Sequence, residues 1–149
     1  MRKQIVLAFF VIASPLFAAD CPVTRPPNPL FVPPQPSSEA RPGLDFAYGS
    51  DALWTLLESS GVWQTLRQKV WMWSNAFDRR AEPEPLLVVT GRRLDGNSPP
   101  FRNQRATHGG FADGTSALLA GVDIPSAGCW EITSQYRGNT LSFVVSVQP

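Results

Sequence analysis

Leu141-Ser142-Phe143-Val144-Val145-Ser146-Val147-Gln148 places apolar side chains at 141, 143, 145 and 147 and, between them, Ser142, Val144, Ser146 and Gln148. A period of two belongs to a β-strand with one face on a core and the other largely in water. Just upstream, Trp130, Ile132 and Tyr136 alternate with Glu131, Thr133 and Gln135, and Arg137-Gly138-Asn139 joins the two runs. Glycine and asparagine tolerate the left-handed backbone of a tight connection, so the two runs form a hairpin.

The same rhythm extends upstream. Leu118, Ala120, Val122 and Ile124 share one parity, Pro125 stops the run, and Ser126-Ala127-Gly128 turns the chain. Leu86–Thr90 is rich in β-branched residues and continues into Gly91-Arg92-Arg93-Leu94, with a turn at Leu94-Asp95-Gly96-Asn97. Lys69–Trp73 and Ala52–Leu57 predict two more strands, although 52–68 also fits a helix broken at Gly61. Six or seven short strands over residues 43–149 predict an all-β, antiparallel, immunoglobulin-like β-sandwich.

Composition bounds the function. The chain is 43% hydrophobic and 17% charged, and its 13 basic residues nearly cancel its 12 acidic ones. That balance excludes a polybasic nucleic-acid binder and a highly charged disordered chain.

Residues 1–18 have the order of a cleaved secretory leader: Arg2 and Lys3, the apolar run Ile5–Ala13, then Ser14-Pro15 before Leu16-Phe17-Ala18. The apolar run is too short to span a bilayer, no later run is long enough, and a periplasmic or secreted protein is expected. Cys21, close behind the cleavage point, raises the alternative of a lipid anchor, against which Asp20 argues. After export Cys21 and Cys129, the only two cysteines, meet oxidising conditions. They are expected to pair, closing a loop of 108 residues and fastening the N-terminal arm; the alternative is two unpaired thiols. That arm, residues 19–42, holds eight prolines, which remove backbone donors and keep the chain extended as a spacer or a strap over the domain.

The final three strands resemble the end of an immunoglobulin-like domain. More specifically, Gly128-Cys129-Trp130-Glu131-Ile132-Thr133, with Lys69-Val70-Trp71-Met72-Trp73, Gly91-Arg92-Arg93-Leu94-Asp95 and Tyr48-Gly49-Ser50-Asp51-Ala52-Leu53-Trp54, is similar to a group of small exported bacterial proteins. Those proteins carry a cysteine soon after the leader and a Cys-Trp-Glu run near the end. The resemblance covers most of the mature chain. It implies export, the sandwich and the Cys21–Cys129 bond, and brings no activity. One departure is Glu58-Ser59-Ser60-Gly61, which has no proline where the group's pattern has one.

Catalytic chemistry is sparsely signalled. His108, the sole histidine, is expected in a loop beside Gly109-Gly110, and one histidine does not make a typical zinc site. No serine stands in a Gly-x-Ser-x-Gly elbow, and no nucleotide-type glycine pattern occurs. Glu82 and Glu84, between Pro83 and Pro85, are expected on a surface connection; Asp95, Asp113 and Asp123 sit at turns. Neither a metal nor a cofactor is expected.

Five tryptophans are the one enrichment with functional promise. Trp130 is assigned to the core. Trp71 and Trp73 share a parity opposite to Val70 and Met72: if the latter are core, the tryptophans form an exposed stripe suited to a sugar ring or a partner's apolar patch, whereas large aromatics in small domains more often pack inward. Arg92, Arg93 and Asp95 form a polar cluster and a candidate anion-binding site, but adjacent strand residues face opposite ways, so the two arginines do not act as one clamp, and one of them is expected to pair with Asp95 or stack on a tryptophan. The leading expectation is an exported, non-enzymatic domain that binds or buttresses a protein or glycan of the cell envelope. The alternatives are a small hydrolase or inhibitor-like protein using the 102–115 loop around His108, and carbohydrate contact through Trp71 and Trp73.

Overall fold

A computed structural model describes residues 20–34, 45–111 and 114–149. The leader at 1–18, the 35–42 part of the Pro-rich arm and Asp113 lie outside the described residues. The described residues contain ten strands and no helix: β1 (Asp45–Ser50), β2 (Leu53–Glu58), β3 (Val62–Trp63), β4 (Arg67–Met72), β5 (Val88–Arg93), β6 (Phe101–Asn103), β7 (Thr107–Gly110), β8 (Ser116–Asp123), β9 (Gly128–Tyr136) and β10 (Asn139–Val147). None of them therefore contributes a helix long and apolar enough to cross a membrane.

The strands stack in two layers. One has the order β3-β10-β9-β5-β6, with β3 parallel to β10 and the other neighbours antiparallel. The other contains β4-β8-β7, joined to the β1–β2 hairpin by the Trp54–Trp73 bridge, where each residue's amide donates to the other's carbonyl at 3.0 and 2.8 Å. The all-β sandwich expected from the alternation is what forms. Phe143, Val145 and Val147 of β10, with Trp130, Ile132 and Tyr136 of β9, pack against Val70 and Met72 of β4 and Leu118, Ala120 and Val122 of β8. Trp130 is fully enclosed, and its indole N–H donates to the Ser126 carbonyl at 3.0 Å.

The β9–β10 hairpin turns through Arg137 and Gly138, both at positive φ (47° and 79°), and Asn139 already pairs with Tyr136. Two successive left-handed residues match the twist of the flanking strands. The 52–57 run is strand, not broken helix. Leu53 and Leu57 point into the main core while Trp54 points to the opposite face, and a period of two serves both sides. The Glu58–Gly61 turn manages without proline because Gly61 takes φ 68° and donates its amide to the Glu58 carbonyl at 2.9 Å.

Cys21 and Cys129 form a disulfide (S–S 2.06 Å), tying the start of the arm to β9. Beyond it, Thr24 and Val144 exchange hydrogen bonds of 2.9 and 2.8 Å, and Arg25 donates to the Ser59 carbonyl at 3.0 Å. The described part of the arm is neither helix nor strand, as its six prolines require. Reduction is expected to free the arm and to lower unfolding stability by up to about 5 kcal/mol, the chain-entropy figure for so long a loop. Denaturant melts with and without reductant check this, and overlapping curves would refute it.

Candidate functional site

At its Met72 end β4 is apolar on both faces. Val70 and Met72 enter the main core, and Trp71 and Trp73 enter a second cluster with Trp54 of β2 and Ala117 of β8, flanked by Leu56, Phe111 and Phe31. Of the two arrangements open for core Val70 and Met72, an exposed tryptophan stripe and inward packing, the structure has the second, with Trp71 only partly covered. Trp73 is 4% exposed and stacks on Phe111 at 6.1 Å, and Trp71 is half-buried, its ring 5.5 Å from Phe111. The physical reason is that Phe31 of the arm and Phe111, just after β7, pack over this face; wide apolar faces are rarely left in water.

Gly109 sets Trp71's place. A Cβ on Gly109 would lie 2.3 Å from the Trp71 ring, so only glycine lets the indole rest on β7. His108, expected in a loop, is instead a half-buried residue of edge strand β7 paired with Leu118, its Nδ1 3.1 Å from the Pro83 carbonyl. The stretch expected as the 102–115 loop is likewise corrected in part: residues 102–110 form the end of β6, all of β7 and their connection, while Phe111, Gly114 and Thr115 lie between β7 and β8. Pairing of 107–110 with β8 won over the loop signal of the glycine pair.

Beside Trp71 and Trp73 the sheet opens. After the Trp54–Trp73 bridge, the Thr55 hydroxyl, not a backbone amide, donates to the Trp71 carbonyl at 2.7 Å. Among the described residues no further backbone hydrogen bond joins β2 to β4. The strands part, leaving a slot of about 360 Å³. Trp71, Trp73 and Phe111 line its outer side, Leu57, Trp63 and Phe143 its inner side, and Asp45, Glu58 and Lys69 also contribute to its walls. Its volume lies in the range of small-ligand sites, and it combines aromatic walls with a few polar groups. The indole N–H groups of Trp54 and Trp73 are buried without a partner among the described residues.

Arg92, Arg93 and Asp95 are not brought to this slot. Arg92 is exposed and pairs across strands with Glu131 at 2.8 Å. Arg93 turns the other way, as strand alternation requires, and holds Asp95 at 2.7 Å and the hydroxyls of Ser98 and Ser126 at 3.2 and 3.1 Å. The Arg93 guanidinium, outweighing partial burial and helped by the Cys129 backbone, keeps the Asp95 carboxyl below its usual range. This cluster braces the turn next to the disulfide. Of the five residues that the sequence marks for binding, Trp71 and Trp73 line the slot, and Trp63, Phe111 and Phe143 complete it from distant parts of the chain. The Gly109-Gly110 pair before Phe111 was the one local hint that an aromatic ring had to lie close by.

Glu82 and Glu84 part company. Glu84 is exposed, whereas Glu82 accepts the Tyr136 hydroxyl at 2.5 Å, an Arg137 N–H at 2.9 Å and the Leu86 amide at 3.1 Å. Burial raises its pKa, but the Tyr136 and Leu86 hydrogen bonds and the Arg137 charge outweigh that and hold it below the usual carboxylate range. Burial, then the contact with Glu82, pushes the Tyr136 hydroxyl well above its usual range. Among the described residues no three His, Cys, Asp or Glu side chains gather as a metal site would require. Comparisons with protein-family models, curated proteins and solved structures find no match to this chain.

Two outcomes follow from these contacts. Gly109→Ala is expected to displace Trp71, altering near-UV circular dichroism and costing about 1–3 kcal/mol; an unchanged aromatic spectrum would refute the packing. Glu82 is more acidic folded than unfolded, so its contribution is full above about pH 5 and is lost as pH falls through the folded value. Glu82→Gln is expected to lower stability at pH 7 by on the order of 1 kcal/mol and to flatten the acid limb of the stability profile. Parallel pH profiles for the two proteins would refute it.

Proposed function

We propose that this is an exported, non-enzymatic, immunoglobulin-like binding domain of the cell envelope, whose ligand enters the slot between β2 and β4. The slot carries the reading: among the described residues it brings aromatic rings and unpaired strand backbone together at one opening. The immunoglobulin-like assignment is supported by β10-β9-β5 in one layer and β2-β4-β8-β7 in the other, the order of that fold's GFC and ABED strands. Export is supported by the leader pattern of residues 1–18 and by a disulfide, a bond that persists in oxidising compartments. A binding role over catalysis is supported by the engagement of the titratable groups that a relay would need. Glu82 holds Tyr136 and Arg137, Asp95 holds Arg93, and His108 holds a backbone carbonyl.

The test is ¹⁹F NMR of the mature protein labelled with 5-fluorotryptophan and titrated with envelope peptides, glycans and cell-wall fragments. One class is expected to shift the Trp71 resonance and leave that of core residue Trp130 in place. If no class moves Trp71, or all move Trp130 equally, the slot is not a binding site. N-terminal sequencing of the periplasmic fraction is expected to begin at Ala19.

A further inference from the structure

We propose that the slot takes an extended peptide bearing an acidic side chain, which adds to the open edge of β4 as a short strand. This rests on the reading of the slot as the binding site and names its occupant.

The backbone argues for a strand. In a strand, the N–H and C=O of successive residues point to opposite sides. The Leu66 carbonyl accepts from Ile124 beyond the end of β8, and the Trp73 amide and carbonyl both bond β2, so even-numbered residues of β4 serve β8 and odd-numbered ones face β2. The Thr55–Trp71 hydrogen bond agrees with that alternation. N-terminal to Trp73 the odd-numbered groups of β4 have no ladder among the described residues. The amide of Trp71 and both main-chain groups of Lys69 face the slot, and Leu56 presents its own from the opposite wall. Such a row of donors and acceptors is what an added strand pairs with, and a protein that leaves one open in water invites that pairing.

The side chains argue for the chemistry. A strand lying between β2 and β4 alternates its own side chains between the slot's two faces. On the outer face one position lies between Leu56 and Trp71, beside Phe111, and takes a bulky apolar group. Two residues along, the next outer position lies between Lys69 and, on the opposite wall, Glu58. Asp45 and Glu58 are already engaged, whereas the exposed Lys69 ammonium makes no ion pair among the described residues. The complementary side chain there is a carboxylate. The inner position between them faces Leu57, Val70, Trp63 and Phe143 and takes a small apolar group.

The probe is acetyl-Thr-Glu-Ala-Phe-Thr-amide with its reversed sequence, added to the disulfide-bonded mature protein and followed by amide hydrogen exchange and the Trp71 ¹⁹F signal. Binding is expected to slow exchange at Lys69 and Trp71 at least tenfold and to leave Val70 and Met72, already in the β4–β8 ladder, unchanged. N-methylation of the peptide backbone is expected to abolish binding. Replacing its Glu by Lys is expected to weaken binding about tenfold, and Lys69→Glu in the protein to reverse that preference. If Lys69→Glu does not fold, the peptide-side changes alone decide. No protection at saturating peptide, or equal binding of the N-methylated form, overturns the proposal. A glycan that shifts Trp71 where the peptide does not overturns this inference and leaves the binding reading standing; silence from every class removes both.

Discussion

Strand β4 has no polar face at its Met72 end, and the rest of the molecule is arranged around that demand. Val70 and Met72 need one apolar layer, Trp71 and Trp73 need another on the opposite side, and a two-layer sandwich supplies only the first. The second comes from outside the main core: Trp54 of the β1–β2 hairpin, Ala117 of β8, Phe111 from the β7–β8 connection and Phe31 from the arm. An arm of eight prolines gains little from its own hydrogen bonding, so its contribution depends on being held. The bond between Cys21 and Cys129, with the Thr24–Val144 and Arg25–Ser59 contacts, holds it. Covering one strand twice thus links the N-terminal segment, the disulfide and the aromatic cluster in a single packing problem.

The slot arises from an incomplete answer to the same problem. To place Trp54 beside Trp73, β2 must meet β4 at one bridge, and Thr55 then occupies the next carbonyl with its hydroxyl. The hairpin leans away and the two edges stay apart. Both edges of the β3-β10-β9-β5-β6 layer are blunted by shortness and charge: β3 has two residues, β6 three, with Arg102 at its centre. The β2–β4 seam has no such protection, and it opens beside half-buried Trp71.

Polar groups are used mainly as fasteners. Arg93 gathers Asp95, Ser98 and Ser126 at the turn beside the disulfide, and Glu82 joins the 76–86 connection to the β9–β10 hairpin through Tyr136 and Arg137, which also donates to the Ala76 carbonyl at 2.7 Å. Both carboxylates are held in the charged form by their partners, which suits clamps better than proton donors.

Much of the architecture was legible in the chain. Alternation at 141–147, 130–136 and 118–124 announced the central strands, because a period of two is a local property that burial on one face imposes directly. The opposite facing of Arg92 and Arg93 followed from the same geometry, and the pairing of Cys21 with Cys129 from their number. The environment of Trp71 and Trp73 was not legible, since alternation tells which residues share a face and not whether a second layer covers it. Nor was the slot: it is made where two strands fail to pair, and its lining joins Leu57, Trp63, Trp71, Phe111 and Phe143 across long separations. Local rhythm determined the strands; only the folding of a distant arm and hairpin onto β4 decided which aromatic surface is closed and which remains open.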